Sequence, residues 1–211
     1  MAKIDELEVA VQNGKSKIAA QLAQEALDEG SKASDILDAM VRAMGVVGDK
    51  FSAGEIFVPE MLVAAKAMKK GMAVIDPYLK GADAQSLGKC IIGTVKGDLH
   101  DIGKNLVSTM IGAAGFDMID LGVDVPIEKF QEAIDANPDV KVVALSALLT
   151  TTMQSMADTA EALKPYREKY GFKMMVGGAP ITQAFADEIG ADGYSVDAGA
   201  AAVLAKDLAT A

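Results

Sequence analysis

The chain has no tryptophan, one cysteine and one histidine among its 211 residues, and each shortage removes a class of function. The lone Cys90 cannot close an internal disulfide. Its place in the apolar run "CIIGTV" reads as a small buried side chain in a reducing compartment rather than a nucleophile. No apolar run approaches the ~20 residues of a membrane span. The N-terminus "MAKIDELEVAVQ" carries acids where a secretory signal would place its apolar core, so a cytoplasmic protein with no membrane partner is expected. Basic residues are outnumbered twenty to thirty. The resulting net charge of −10 and pI near 4.6 repel phosphate backbones, and nucleic acid is not expected as a ligand. Neither G-x-x-x-x-G-K-[ST] nor G-x-G-x-x-G occurs, so nucleotide hydrolysis and dinucleotide binding drop out as well.

What is present falls into two halves with different periods. From Ile4 to Leu79 apolar residues recur at helical spacing, as in Ile36, Leu37, Met40, Val41 and Met44, and in Met61, Leu62, Ala65, Met68 and Met72. Gly14 and Gly30 close the first two helices, Ser34 is placed to cap the third, and Pro59 falls in the first turn of the fourth. Four such helices pack most economically as a bundle. After "KGADAQSLGK" the pattern changes to the short apolar runs "CIIGTV", "DMIDLGV", "VVALSALL" and "KMMVGG", each followed by a helical stretch. Runs apolar on both faces and alternating with helices predict a parallel sheet covered on both sides, with ligands bound outside the carboxyl ends of its strands. Those ends read "KGDLHDIG", "GVDVP", "SALLTTTM" and "GGAP".

The only histidine, His100, stands at the first of them. An arbitrary lone histidine is most often a satisfied, partly buried polar residue. Here it sits in a glycine-flanked loop, where Asp98 could accept from one ring nitrogen while the other points outward, as in an oriented metal ligand. A hydrolytic metal centre of Asp98, His100 and Asp101 lacks a second imidazole. One imidazole suffices if the metal arrives already coordinated by a macrocycle.

The stretch Asp98-Leu99-His100-Asp101-Ile102-Gly103 matches the D-x-H-x-x-G motif of cobalamin-binding domains. Ser146-Ala147-Leu148 follows as their S-x-L and Gly177-Gly178 as their G-G. The chain therefore resembles the stand-alone corrinoid proteins of methylamine and methanol metabolism, similar to the cobalamin-binding domains of methionine synthase. The segment "VVGDKFSAGEIFVPEML" resembles the signature of the helical cap in that class. The resemblance implies a four-helix cap over residues 1–85 and a Rossmann-like, flavodoxin-like five-stranded parallel α/β domain over 89–211. It implies a cobalamin or related cobamide bound base-off and His-on, with His100 as the lower axial ligand of cobalt. Gly97, Leu99, Asp101, Ile102 and Gly103 would surround that ligand, and Asp98 and Thr152 would extend a hydrogen-bonded relay from it. Ser146, Leu148 and Thr150 would line the slot for the nucleotide tail, Gly177 and Gly178 would let the tail pass close to the backbone, and Ala198 would close the far end. Phe51, Val58 and Met61 would cover the upper face of the corrin.

The function so implied, within one-carbon metabolism or methanogenesis, is that of a methyl carrier rather than a complete enzyme. It would shuttle between a substrate-specific corrinoid methyltransferase, with methylamine, methanol or betaine as donor, and a second methyltransferase acting on a thiol or tetrahydropterin. A reductive activase is a further implied partner. Two alternatives use the same motif: a cobalamin-binding regulator, for which no basic DNA-binding helix is visible, and the small subunit of a cobalamin-dependent mutase, which would resemble only the second half.

Overall fold

In the computed structural model residues 3–78 and 86–211 are described. Leu79 and the expected end of the cap at residue 85 lie outside them. The chain divides into two compact units, Met1–Gln85 and Ser86–Ala211.

The first unit is helical, with α1 (Lys3–Gln12), α2 (Ser16–Asp28), α3 (Ala33–Ser52) and α4 (Val58–Ile75). Helix α2 packs on α4, and α1 lies against α2 and α3. The spacing of the apolar residues dictates which faces meet. Ile36, Met40, Met44 and Val47 form one buried stripe of α3, and Met61, Ala64, Met68 and Ile75 form that of α4. Each fully buried methionine or isoleucine contributes roughly 1.5–3 kcal/mol by leaving water. Gly14 and Gly30 end their helices at φ of 66° and 89°, values at which an L side chain is strained. Pro59 stands in the first turn of α4, where the Glu60 carboxylate accepts from the N–H of Phe57 at 3.1 Å. The expected cap of α3 is displaced: Lys32 holds the N-cap position, and Ser34 lies inside the first turn because the helix begins at Ala33.

The second unit alternates strand and helix: β1 (Lys89–Thr94), α5 (Ile102–Ala113), β2 (Asp117–Asp120), α6 (Ile127–Ala136), β3 (Val140–Ser146), α7 (Met153–Tyr170), β4 (Lys173–Gly177), α8 (Gln183–Glu188), β5 (Gly193–Ser195) and α9 (Ala198–Thr210). All neighbouring strands are parallel, in the order β2-β1-β3-β4-β5, which is the flavodoxin-like order expected. The fifth strand has three residues, too few for an apolar run to announce it.

Side chains alternate across the sheet and fill two cores. Ile91, Val143, Leu145 and Met174 pack on one face with Phe130, Ile134 and Leu163 of α6 and α7. Cys90, Ile92, Val142 and Met175 pack on the other with Ile111, Ala201 and Ala205 of α5 and α9. The register aligns Thr94, Ser146, Gly177 and Ser195 in one row at the carboxyl edge. Strand order reverses between β1 and β3, which makes the carboxyl ends of these two strands the switch point of the topology, where ligands of such sheets bind. His100 is in the loop that follows the first of them.

Candidate functional site: the carboxyl edge of the sheet

Between β1 and α5 the chain runs through Lys96 to Asp101. Gly97 has φ +86°, and the side chain of Asp98, two residues before the histidine, is fully buried. Oδ1 of Asp98 lies 2.7 Å from Nδ1 of His100 and accepts the main-chain N–H of His100 at 3.1 Å. Oδ2 accepts from the N–H groups of Leu148 and Leu149, at 2.7 and 3.2 Å, and faces Oγ1 of Thr152 at 2.8 Å. The Thr152 hydroxyl also reaches the Leu149 carbonyl at 2.9 Å. It has one proton to give, and the carboxylate is the stronger acceptor.

Burial by itself would raise the Asp98 carboxyl. The Leu148 N–H, the ring and N–H of His100 and the Thr152 hydroxyl outweigh it and hold the group far below the usual carboxylate range. The proton of the Asp98–His100 contact therefore belongs to Nδ1. That leaves Nε2 as the free end of the ring, and among the described residues it has no hydrogen-bond partner. The imidazole is about half exposed, with 49% of its side-chain surface accessible. The main chain of His100 is held from below, where its carbonyl accepts from the Thr94 hydroxyl at 3.0 Å.

Exposed apolar side chains flank the histidine in its own loop, with Leu99 71% exposed and Ile102 84%, and Leu148 and Leu149, whose N–H groups hold Asp98, are also open. Gly103, in the first turn of α5, has no positive φ, and a Cβ built on it would meet nothing within 4 Å. Neither its backbone nor its packing accounts for glycine there. A large flat ligand that needs the space of a methyl group would account for it. An unpaired imidazole nitrogen, exposed apolar neighbours along its loop and an unfilled glycine surface together fit a metal-bearing macrocycle that asks one nitrogen of the protein. Among the described residues no group of three or more His, Cys, Asp or Glu is placed to hold a bare metal ion.

Two models described as a B12 binding domain match the chain, one over residues 3–76 and the other over 88–205. The chain belongs to the B12-binding corrinoid protein family. It is 41% identical over 213 residues to a corrinoid protein of Desulfitobacterium hafniense (strain Y51), covering 99% of this chain and 98% of that one. It is 42% identical over 193 residues to trimethylamine corrinoid protein 1 of Methanosarcina acetivorans, covering 90% and 88%. Among solved structures, the methanol:cobalamin methyltransferase complex of Methanosarcina barkeri matches at a TM-score of 0.81 and 28% identity, over 99% of this chain and 80% of that one.

The other residues that the motif singles out in this family member are distributed as follows. Asp101 holds the N-cap position of α5, and its side chain accepts from the Asn105 amide at 3.1 Å. Ser146 ends β3, and Thr150 is exposed at the start of a 3-10 turn that Thr152 completes. Gly177 ends β4, where an added Cβ would stand 3.4 Å from the Ser195 carbonyl oxygen. Gly178 is needed by the protein itself: at φ +131° a Cβ would lie 1.8 Å from the Ala147 carbonyl oxygen. Ala198 is buried in the first turn of α9. In the helical unit Phe51 is half-buried near the end of α3, Val58 is exposed at the start of α4 and Met61 is fully buried.

Sequence reasoning missed two arrangements at this edge. Lys104, almost wholly buried in the first turn of α5, pairs with Asp120 at the end of β2 at 2.5 Å and with the Asn105 side chain at 2.7 Å. Asp124, in the loop after β2, bonds the histidine loop twice. A lysine in the first turn, where the helix dipole disfavours a cation, was the available signal for the first. The second had none.

Proposed function

We propose that this chain carries a methyl group on a cobamide held base-off, with His100 as the lower axial ligand. It would accept the methyl group inside a substrate-specific corrinoid methyltransferase and deliver it to a second methyltransferase that acts on a thiol or tetrahydropterin. The observation that carries this reading is the geometry of His100, whose Nδ1 is fixed on Asp98 at 2.7 Å while Nε2 stands unpaired in a half-exposed ring, in a stretch whose Leu99 and Ile102 are also exposed. Cobalt in the bound corrinoid supplies the centre that takes up and gives up the methyl group.

The chain's own residues do the rest. Asp98 holds the imidazole in the tautomer whose Nε2 can donate a lone pair, and the Leu148 and Leu149 N–H groups keep Asp98 itself from turning. Thr152 supplies the one rotatable proton beside that carboxylate, so a change in charge on the imidazole can be answered by turning a hydroxyl. Ser146 and Thr150 offer hydroxyls at the end of β3 for the nucleotide tail.

A methylamine- or methanol-type donor is supported by the relatives, one named for trimethylamine and another solved within a methanol:cobalamin methyltransferase complex. A cytoplasmic setting and a reductive activase complete the proposed cycle. The test is an electron paramagnetic resonance spectrum of the cobalt(II) holoprotein grown with nitrogen-15 histidine and loaded with unlabelled cobalamin. A doublet superhyperfine pattern is expected from a spin-half ligand nitrogen. A triplet would mean that the cofactor's own base is the ligand, and the reading would fall.

A further inference from the structure

Asp124 is the one non-glycine residue with positive φ among those described, at 51°. This is the left-handed region, which aspartate tolerates better than most L residues but still rarely enters. Such a conformation persists where surrounding contacts over-determine it, and functional loops are where it is found. Here the contacts are explicit. The Asp124 N–H donates to the Asp98 carbonyl at 2.9 Å, and the Gly97 N–H donates to Asp124 Oδ1 at 2.7 Å. The two bonds close a small ring between the loop after β2 and the loop that bears His100.

The neighbours of Asp124 are anchored in the same direction. The Val125 N–H donates to the Thr94 carbonyl at 3.0 Å, the Thr94 N–H to the Gly122 carbonyl at 3.0 Å, and Val95 and Val125 form an isolated parallel bridge. The histidine loop is thus gripped from two sides. The loop after β3 holds Asp98 by its side chain, and the loop after β2 holds it by its main chain. Gly97, itself at φ +86°, is the swivel between them.

We infer that Asp124 is a positioning residue for His100: its left-handed backbone and its carboxylate together set the Gly97–Asp98 main chain before any cofactor arrives. The inference rests on the reading of His100 as the cobalt ligand. Because both Asp124 and Gly97 are exposed, water can replace the lost bond when the carboxylate is removed. The effect therefore falls on the order of the loop rather than on global stability.

Three variants separate backbone from carboxylate. Asp124→Asn keeps the tolerance for positive φ and an acceptor oxygen, Asp124→Gly keeps the backbone but loses the acceptor, and Asp124→Ala loses both. In the cofactor-free protein, hydrogen exchange at the Gly97 amide is expected to speed up about tenfold in the Gly and Ala variants and to stay at the wild-type rate in Asn. In the cobalamin-loaded protein the Ala variant is expected to bind about tenfold more weakly and to lose part of the nitrogen-15 doublet, with Gly intermediate and Asn restored. An alanine variant with wild-type exchange at Gly97, wild-type affinity and an undiminished doublet would overturn the inference. A triplet in the wild type would instead overturn the assignment of His100, leaving the exchange result to stand by itself.

Discussion

Oδ1 of Asp98 meets both the ring Nδ1 and the main-chain N–H of His100, so one oxygen of one carboxylate fixes the histidine at both ends. The other oxygen is held by the loop after β3. Histidine orientation and loop position are consequently one property in this protein, and what disturbs either should be visible in both.

The ionisation of Asp98 makes stability depend on pH. Its folded value lies far below the ordinary 3.8. The stabilisation is therefore fully present above the unfolded value and is lost as pH falls toward and through the folded one. Asp98→Asn should lower the urea midpoint of the cofactor-free protein at neutral pH, and the gap to wild type should narrow once the pH drops below about 4. A gap that is constant with pH would mean that the carboxylate is not charged in the fold. On the proposed assignment of His100, the same variant should weaken cobalamin binding by about 10–100-fold in a spectroscopic titration, since the amide keeps one acceptor oxygen but sets N–H groups against either the His100 ring or the Leu148 and Leu149 N–H groups.

Two glycines of the motif should respond in opposite ways. Gly178→Ala forces a Cβ to within 1.8 Å of the Ala147 carbonyl oxygen at φ +131°, and a loss of about 3 kcal/mol or more in chemical denaturation is expected. Gly103→Ala meets nothing within 4 Å. It should raise the stability of the cofactor-free protein by up to about 1 kcal/mol, as alanine does in a helix, while weakening cobalamin binding. If Gly103→Ala left affinity intact, the open surface at the start of α5 would not be where the cofactor lies.

Cys90 is fully buried on β1, and burial pushes its thiol up to about 12. The native protein should resist thiol-specific labelling at mildly alkaline pH and become labelled only on unfolding. Rapid labelling of the folded state would show that the face of the sheet toward α5 and α9 opens readily.

The Lys104–Asp120 pair is buried on one side only, with the lysine side chain 2% exposed and that of the aspartate 36%. Removing the aspartate strands a buried ammonium with Asn105 as its remaining side-chain partner, whereas removing the lysine leaves a carboxylate that water can reach. Asp120→Ala should therefore cost more than Lys104→Met, by about 1–3 kcal/mol in thermal or urea unfolding. Equal losses would mean that the ammonium finds water in the absence of its partner.

Much of this architecture was legible in one dimension because it follows from periodicity. Methionines and leucines at helical spacing lead to four helices, and apolar runs separated by helical stretches lead to a parallel sheet, since a strand buried on both faces needs no polar side. Serine's preference for a cap is local, and Ser34 lies one residue inside α3, which starts at Ala33. The short β5 escaped the same reading, as three residues hold too little pattern.

The sequence by itself determined the fold class, the order of its elements and the placing of His100 at a strand's carboxyl end, because these depend on which residues are apolar and where glycine interrupts them. Only the tertiary structure decided how that histidine is held. The five bonds that converge on the Asp98 carboxylate come partly from residues 50 and more positions away, and so does the burial that gives them their strength. The grip of Asp124 on Gly97 spans 27 positions and rests on a left-handed φ. Spacing along a chain carries no trace of either, since both arise when parallel strands bring their ends into one row.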